Sequence, residues 1–162
     1  MFSKLLVTVE GTNLSSRFIP NELTIIDLRG FTLRHFFVNP PPGLRLSPSE
    51  RTTEWFTRTK LGGRGIRRYD NLPAIRASEA VNILECLRGR TIYTVGSTSQ
   101  LFLSTFLPEA DVVDVQTLIS LTYPTSLPPA GCGEHHANPR HCTLAKAHYV
   151  RKAMAENTAK WR

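Results

Sequence analysis

RTIYTVGSTSQLFLSTFLPEADVVDVQTL, residues 90–118, decides the fold class. Arg90–Gly96 is a continuous apolar run of strand length, the kind that is buried on both faces of a sheet. Ser97 and Gln100 stand at the spacing of a capping box, an apolar run follows, and Pro108 stops it, so the middle of the stretch reads as a helix. Ala110–Leu118 gives a second buried strand and a turn into a short helix. A strand, a helix and a strand at this spacing form a parallel pair joined by a right-handed crossover.

Upstream, three segments read as strands. KLLVTVEGT (4–12) is short and apolar, ELTIIDLRG (22–30) is β-branched and ends at a glycine, and FTLRHFFVNP (31–40) alternates and stops at prolines. The gap between the second and third is short enough for a hairpin. SPSERTTEWF then opens a helix, with Ser47 as cap, Pro48 at the first helical position and Glu50 completing the box. Leu72–Gly89 reads as a second helix, with Ala77, Ala80, Val81, Leu84 and Leu87 on one face and Cys86 packed as a small apolar residue. The last helix is expected from Asn138 as cap and Pro139 at the first position to Asn157. Three antiparallel strands followed by alternating strands and helices make an α/β layer fold with a mixed sheet. We expect a single domain over 1–157 and a frayed tail over 158–162.

The 162 residues are 41% apolar and 20% charged, which suits a globular chain with a core of its own. Three cysteines are too few for a disulfide scaffold, and no apolar run has signal-peptide or membrane length. These features predict an intracellular protein, in cytoplasm or nucleus, with thiols kept reduced. The net charge of +7 favours a polyanionic partner, nucleic acid above all.

Two stretches carry chemistry. Between Cys132 and His148 lie two of the three cysteines and four of the five histidines. Cys132 and His135 are two residues apart, a metal-binding turn that Gly131 and Gly133 make possible, and Cys142 follows in the first turn of the last helix. One structural zinc held by Cys132, His135 and Cys142 is expected, with His136, His141, Glu134, Glu10 or Glu54 as candidates for the fourth ligand. The second stretch is basic: Arg58, Lys60, Arg64, Arg67 and Arg68 fall in a segment without an acid, preceded by Trp55 and Phe56 and followed by Tyr69. Guanidinium forks suit phosphates and aromatic rings stack on unpaired bases, so this loop is the expected contact for RNA or single-stranded nucleic acid. His148 and His35 are expected to be packing or surface residues.

The order of elements resembles the RNase H-like fold in its DEDDh 3′–5′ exonuclease branch. VTVEGT is similar to the family's first strand, with Glu10 kept and Thr8 in place of the aspartate; GRGI (63–66) is similar to its H-G-I loop. VGSTSQLFLSTFL places Ser99 or Gln100 near the second aspartate, and VDVQTL supplies Asp114. HCTLAKA matches at His141 and Leu144, but Lys146 replaces the final aspartate. The resemblance implies a mixed five-stranded RNase H-like sheet with helices on both faces. It implies a pseudoenzyme in which Glu10, Asp114 and His141 are vestiges of a site that needs paired carboxylates for two divalent ions. The Maelstrom domain, which holds zinc through a Glu-Cys-His-Cys set, is a similar case, and so are small insect proteins associated with transposons or viruses. The expected function is a catalytically inactive exonuclease-like domain that binds RNA or single-stranded nucleic acid or serves as an adaptor. The alternatives are a divergent metal-dependent nuclease using Glu10, Asp111 or Asp114, and a protein-interaction module of viral or transposon origin.

Overall fold

The computed structural model describes residues 4–29, 33–60, 65–66, 68, 74–121 and 142–157. Strands β1 (Lys4–Asn13), β2 (Phe18–Asp27) and β3 (Leu33–Val38) form an antiparallel meander. Helix α1 (Pro48–Lys60) follows, then strand β4 (Ala74–Ile75), helix α2 (Ala77–Glu85), strand β5 (Thr91–Thr94), helix α3 (Ser97–Phe106), strand β6 (Asp111–Asp114) and helix α4 (Thr143–Glu156). A single 3-10 turn, Val115–Thr117, follows β6. The sheet order is β4-β3-β2-β1-β5-β6, with β5 parallel to β1 and β6 parallel to β5.

The α/β class and the mixed sheet agree with the sequence expectation; the number of strands does not. Among the described residues six strands are present where five were expected, because Ala74–Ile75, placed by sequence inside a helix, pairs in parallel with Phe37 and Val38 on the open edge of β3. Asn39 N–H donates to Ile75 O at 2.9 Å, which secures the pairing. An unpaired sheet edge recruits whatever backbone lies along it, and the helix is left to start at Ala77. β6 is an edge strand with its first residue exposed and the next two half-buried, not a strand buried on both faces. Cys86 is exposed rather than packed. The Ser97–Gln100 box is not formed: Gly96 is the N-cap residue, and the Gln100 amide donates to Val112 O at 3.2 Å across to β6.

The Ser47–Glu50 box is formed. Glu50 N–H donates to Ser47 Oγ at 3.2 Å, and Ser47 N–H donates to Glu50 Oε1 at 2.9 Å. Arg17, just before β2, adds a two-pronged contact to the same carboxylate, at 2.9 and 3.1 Å. The Arg17 guanidinium, then the Ser47 amide, hold the Glu50 carboxyl below the ordinary glutamate range.

Alternation along β1 and β2 builds two cores, one on each face of the sheet. Leu5, Val7, Val9, Leu23, Ile25 and Ile92 pack with Leu84 of α2, Leu87 in the turn after it, and Phe102 and Leu103 of α3. Leu6, Ile26 and Tyr93 face α4 through Ala147, Val150 and Met154. The register of β1 against β2 shifts between Glu10 and Gly11. Gly11 is needed there: a Cβ would lie 2.2 Å from Ile19 O. Among the described residues no helix is long and apolar enough to cross a membrane.

Candidate functional site

Glu10 and Glu22 are cross-strand partners in the β1–β2 ladder. Both side chains stand on the α4 face, where directly opposed like charges on neighbouring strands repel. Helix α4 answers both. Lys146 donates to the Glu10 carboxylate, and the two form an ion pair. Thr143 N–H, at the first turn of α4, donates to both oxygens of Glu22 at 3.3 and 3.2 Å. The helix N-terminus thus meets a buried carboxylate, the favourable sense for the helix dipole. The hydroxyls around it complete the seat: Thr8 Oγ1 donates to Thr143 O, and Thr24 Oγ1 shares a hydrogen bond with Thr143 Oγ1, each at 2.8 Å. His35 Nε2 lies 3.6 Å from Glu22 Oε2 and is buried without a hydrogen-bond partner among the described residues.

Past the Glu10–Lys146 pair, at the ends of β1 and β5, a cleft of about 600 Å³ opens between α1 and α3. Glu10 and Lys146 form part of its wall, together with Phe56 and Thr57 of α1 and Ser97 and Thr98 of α3. Its size falls in the range of about 300–1,000 Å³ usual for ligand sites. Glu10 is the single acid in the described lining.

Asp114 is held by backbone amides at the edge of this cleft. Its Oδ1 accepts from Gly96 N–H at 2.9 Å and Gln116 N–H at 3.0 Å, so it ties the end of β5 to the turn after β6. It lies on β6, two strands from β1, which is about 9.5 Å sideways at the ordinary strand spacing. Asp111 pairs with Thr91, which pairs with Lys4, at the opposite end of β1 from Glu10. Six residues of strand separate those levels by about 20 Å. Asp111 therefore stands far from Glu10, while Asp114, outside the described lining of the cleft, holds the backbone of Gly96 and Gln116, which are in it.

For the metal expectation, Cys132, His135, Glu134, His136 and His141 lie outside the described residues. Cys142 is buried, 1% exposed, and is the N-cap residue of α4 rather than a residue within its first turn. The helix begins at Thr143, so Asn138 is not its cap; the Glu22 carboxylate takes that part instead. Of the distant carboxylates considered, Glu10 is bound to Lys146, and Glu54 accepts from Arg58 at 3.1 Å and from Ile66 N–H at 3.4 Å. Among the described residues no three His, Cys, Asp or Glu side chains gather as a metal site. Glu22, which sequence reasoning missed, is the carboxylate whose partner is the residue next to Cys142. Its signal was an acid in the middle of the apolar run of β2, where a charge survives only if something is built to meet it.

For the nucleic-acid expectation, Arg58 is on α1, half-exposed and paired with Glu54, and Arg68 is exposed. The side chain of Lys60 and residues Arg64, Arg67 and Tyr69 lie outside the described residues. Trp55 and Phe56 are each 49% exposed on α1, a large aromatic area to leave in water. Gly65 has φ +75°, and a Cβ there would lie 2.6 Å from Glu54 Oε1, so this part of the loop rests directly on α1. Compared with known proteins, the chain matches no family model and no curated protein.

Proposed function

We propose that this chain is a catalytically inactive, nuclease-like domain that binds RNA or other single-stranded nucleic acid. The observation that carries the reading is the Glu10–Lys146 ion pair. Two-metal phosphodiester hydrolysis needs several hard carboxylate oxygens around adjacent divalent ions. Here Glu10, the one acid in the described lining, is paired with the Lys146 ammonium, Asp111 stands toward the far end of β1, and Asp114 accepts from the Gly96 and Gln116 amides. The order β3-β2-β1-β5-β6, antiparallel and then parallel, supports the RNase H-like resemblance, with β4 as an added edge. Exposed Trp55 and Phe56 on α1, next in sequence to a basic stretch, in a chain of charge +7, support a polyanion with unpaired bases as the ligand.

The reading includes a structural zinc that closes the segment 131–142 onto α4. Cys142, buried at the helix N-terminus where thiolate is favoured, would hold it with Cys132 and His135. The donor set fits zinc, and Glu22 joins the fourth-ligand candidates. When bound, the metal supplies a cross-link and not a reactive water.

Binding and cleavage are measured together on a labelled single-stranded RNA, with and without Mg²⁺ or Mn²⁺. The expected result is binding that weakens steeply with salt and leaves the RNA intact. Metal-dependent cleavage that disappears in Glu10→Ala would overturn the proposal.

A further inference from the structure

One wall of the cleft at the ends of β1 and β5 is polar without being charged. Gly96, Ser97, Thr98 and Ser99 line it where β5 turns into α3. This turn stands at the carboxyl ends of two parallel strands, the edge at which open α/β sheets hold their ligands. Gly96 has φ +94°, and a Cβ built on it would meet nothing within 4 Å, so the turn faces open space.

The first turn of a helix leaves amides that the helix itself cannot use. The other helices meet an acid there: Glu50 in α1, Glu79 in α2 and Glu22 at the start of α4. Helix α3 has no acid in its first turn and no side-chain cap. Asp114 takes the Gly96 amide, and Gln100 N–H opens the helical ladder by donating to Gly96 O at 3.0 Å. The amides of Ser97, Thr98 and Ser99 stand between these two and donate to no described group. Their side chains add three hydroxyls, none of them hydrogen-bonded among the described residues. Ser97 and Thr98 are exposed, but Ser99 is only 8% exposed and still lines the cleft. A hydroxyl so far buried ordinarily has a partner. Here the cleft is the side from which a partner can come.

We infer that the start of α3 is the seat of a terminal phosphate group at the end of a bound single strand. The inference rests on the nucleic-acid reading and deepens it, by naming the part of the strand that enters the cleft. Amides at a helix N-terminus hold an anion through hydrogen bonds and the helix dipole, with no free cation required. That condition matters, because Lys146 is paired with Glu10 and the two bring no net charge to the cleft. Asp114, the other acid at this turn, lies outside the described lining and is compensated by the Gly96 and Gln116 amides. A terminal phosphate has one more unshared oxygen than a phosphodiester, so it uses more of the donors gathered here.

The test uses the full chain and a short oligouridine that carries fluorescein at one end and either phosphate or hydroxyl at the other, in both polarities. One phosphorylated strand should bind about tenfold more tightly than its hydroxyl counterpart, the worth of a hydrogen bond to a charged group. In a nitrogen–proton spectrum, the amide signals of Ser97, Thr98 and Ser99 should move downfield as that strand is added. Thr98→Asp, at an exposed first-turn position where an acid suits the helix, should melt no lower than wild type and lose the preference for phosphate. Thr98→Asn, of the same shape without the charge, should keep it. If both ends bind alike and the three amide signals stay in place, while Arg68→Glu still weakens every strand, the seat is wrong and the nucleic-acid reading stands. If uridine monophosphate alone binds as tightly as the phosphorylated strand, the occupant is a free nucleotide and the inference falls. If no strand binds, the inference falls together with the reading beneath it.

Discussion

Glu10 and Glu22 face each other across β1 and β2 with one helical turn of α4 laid over them, Thr143 on one acid and Lys146 on the other. Neither acid is tolerable there alone. A carboxylate taken out of water needs donors or a counter-charge, and the removal of one partner leaves the other uncompensated. Lys146→Met should therefore lower stability by about 2 kcal/mol. Adding Glu10→Gln should recover part of that loss, because the double variant no longer buries an unpaired charge. Urea unfolding of the four-member cycle checks this, and additive losses would show that the pair does not couple. Glu22→Ala, which strands the Thr143 amide in a buried position, should cost about 3 kcal/mol. Only half of this arrangement was legible beforehand. Lys146 stands out in sequence as a lysine where the resemblance expects an acid. Glu22 is marked only as an acid within an apolar run, and nothing in the sequence points to its partner, a backbone amide 121 residues away.

At the scale of elements, α1 is the best test of local chemistry. Its start is a capping box that local sequence specifies completely, but Arg17, from the far side of a hairpin, tightens it. The lowered Glu50 carboxyl stabilises the fold above the ordinary glutamate range. That contribution is lost as pH falls through the depressed value, because the folded state must then take up a proton it resists. The helix signal of α1 and its contact with Arg17 should thus weaken in acid, and Glu50→Gln should flatten this part of the pH profile, as read by circular dichroism or amide exchange. Ser47→Ala should cost about 1 kcal/mol. At the other end of the scale of locality, Gly11→Ala should destabilise β1 by about 2 kcal/mol or more, because the bulge beside Glu10 leaves no room for a methyl group against Ile19 O. A thermal melt suffices to measure it.

For the whole molecule, the sheet and its two cores are complete among the described residues, and α4 covers one face. Cys142 at the head of α4 is the point where a zinc cross-link would act on global stability. Elemental analysis of purified protein should find about one zinc per chain. A strong chelator should lower the melting temperature by several degrees, in line with ligand linkage. Cys142→Ser should lose the metal and melt at the temperature of the chelated protein, while Cys86→Ser, at an exposed site, should change neither. A chain without zinc, or one that melts identically with and without chelator, would remove the metal from the proposal and leave the ion-pair argument untouched.

The sequence by itself determined the α/β class, the meander of three strands, the strand–helix–strand unit of residues 90–118 and the start of α1. Each of these rests on the period of the side chains or on a cap whose partners lie within a turn of each other. Tertiary structure alone decided that Ala74–Ile75 would leave a helical pattern to pair with β3, that α4 would start at Thr143, and that Glu22 would become its cap. It also decided which of the candidate acids share a site. Asp111 and Asp114 are equally plausible partners of Glu10 on paper, and strand register sends one to the far end of the sheet and the other to a backbone knot at its edge. The physical reason is the same in each case. Periodicity and caps are written in neighbouring residues, whereas a sheet edge, a buried charge and a catalytic constellation are settled between residues that meet only after the chain has closed.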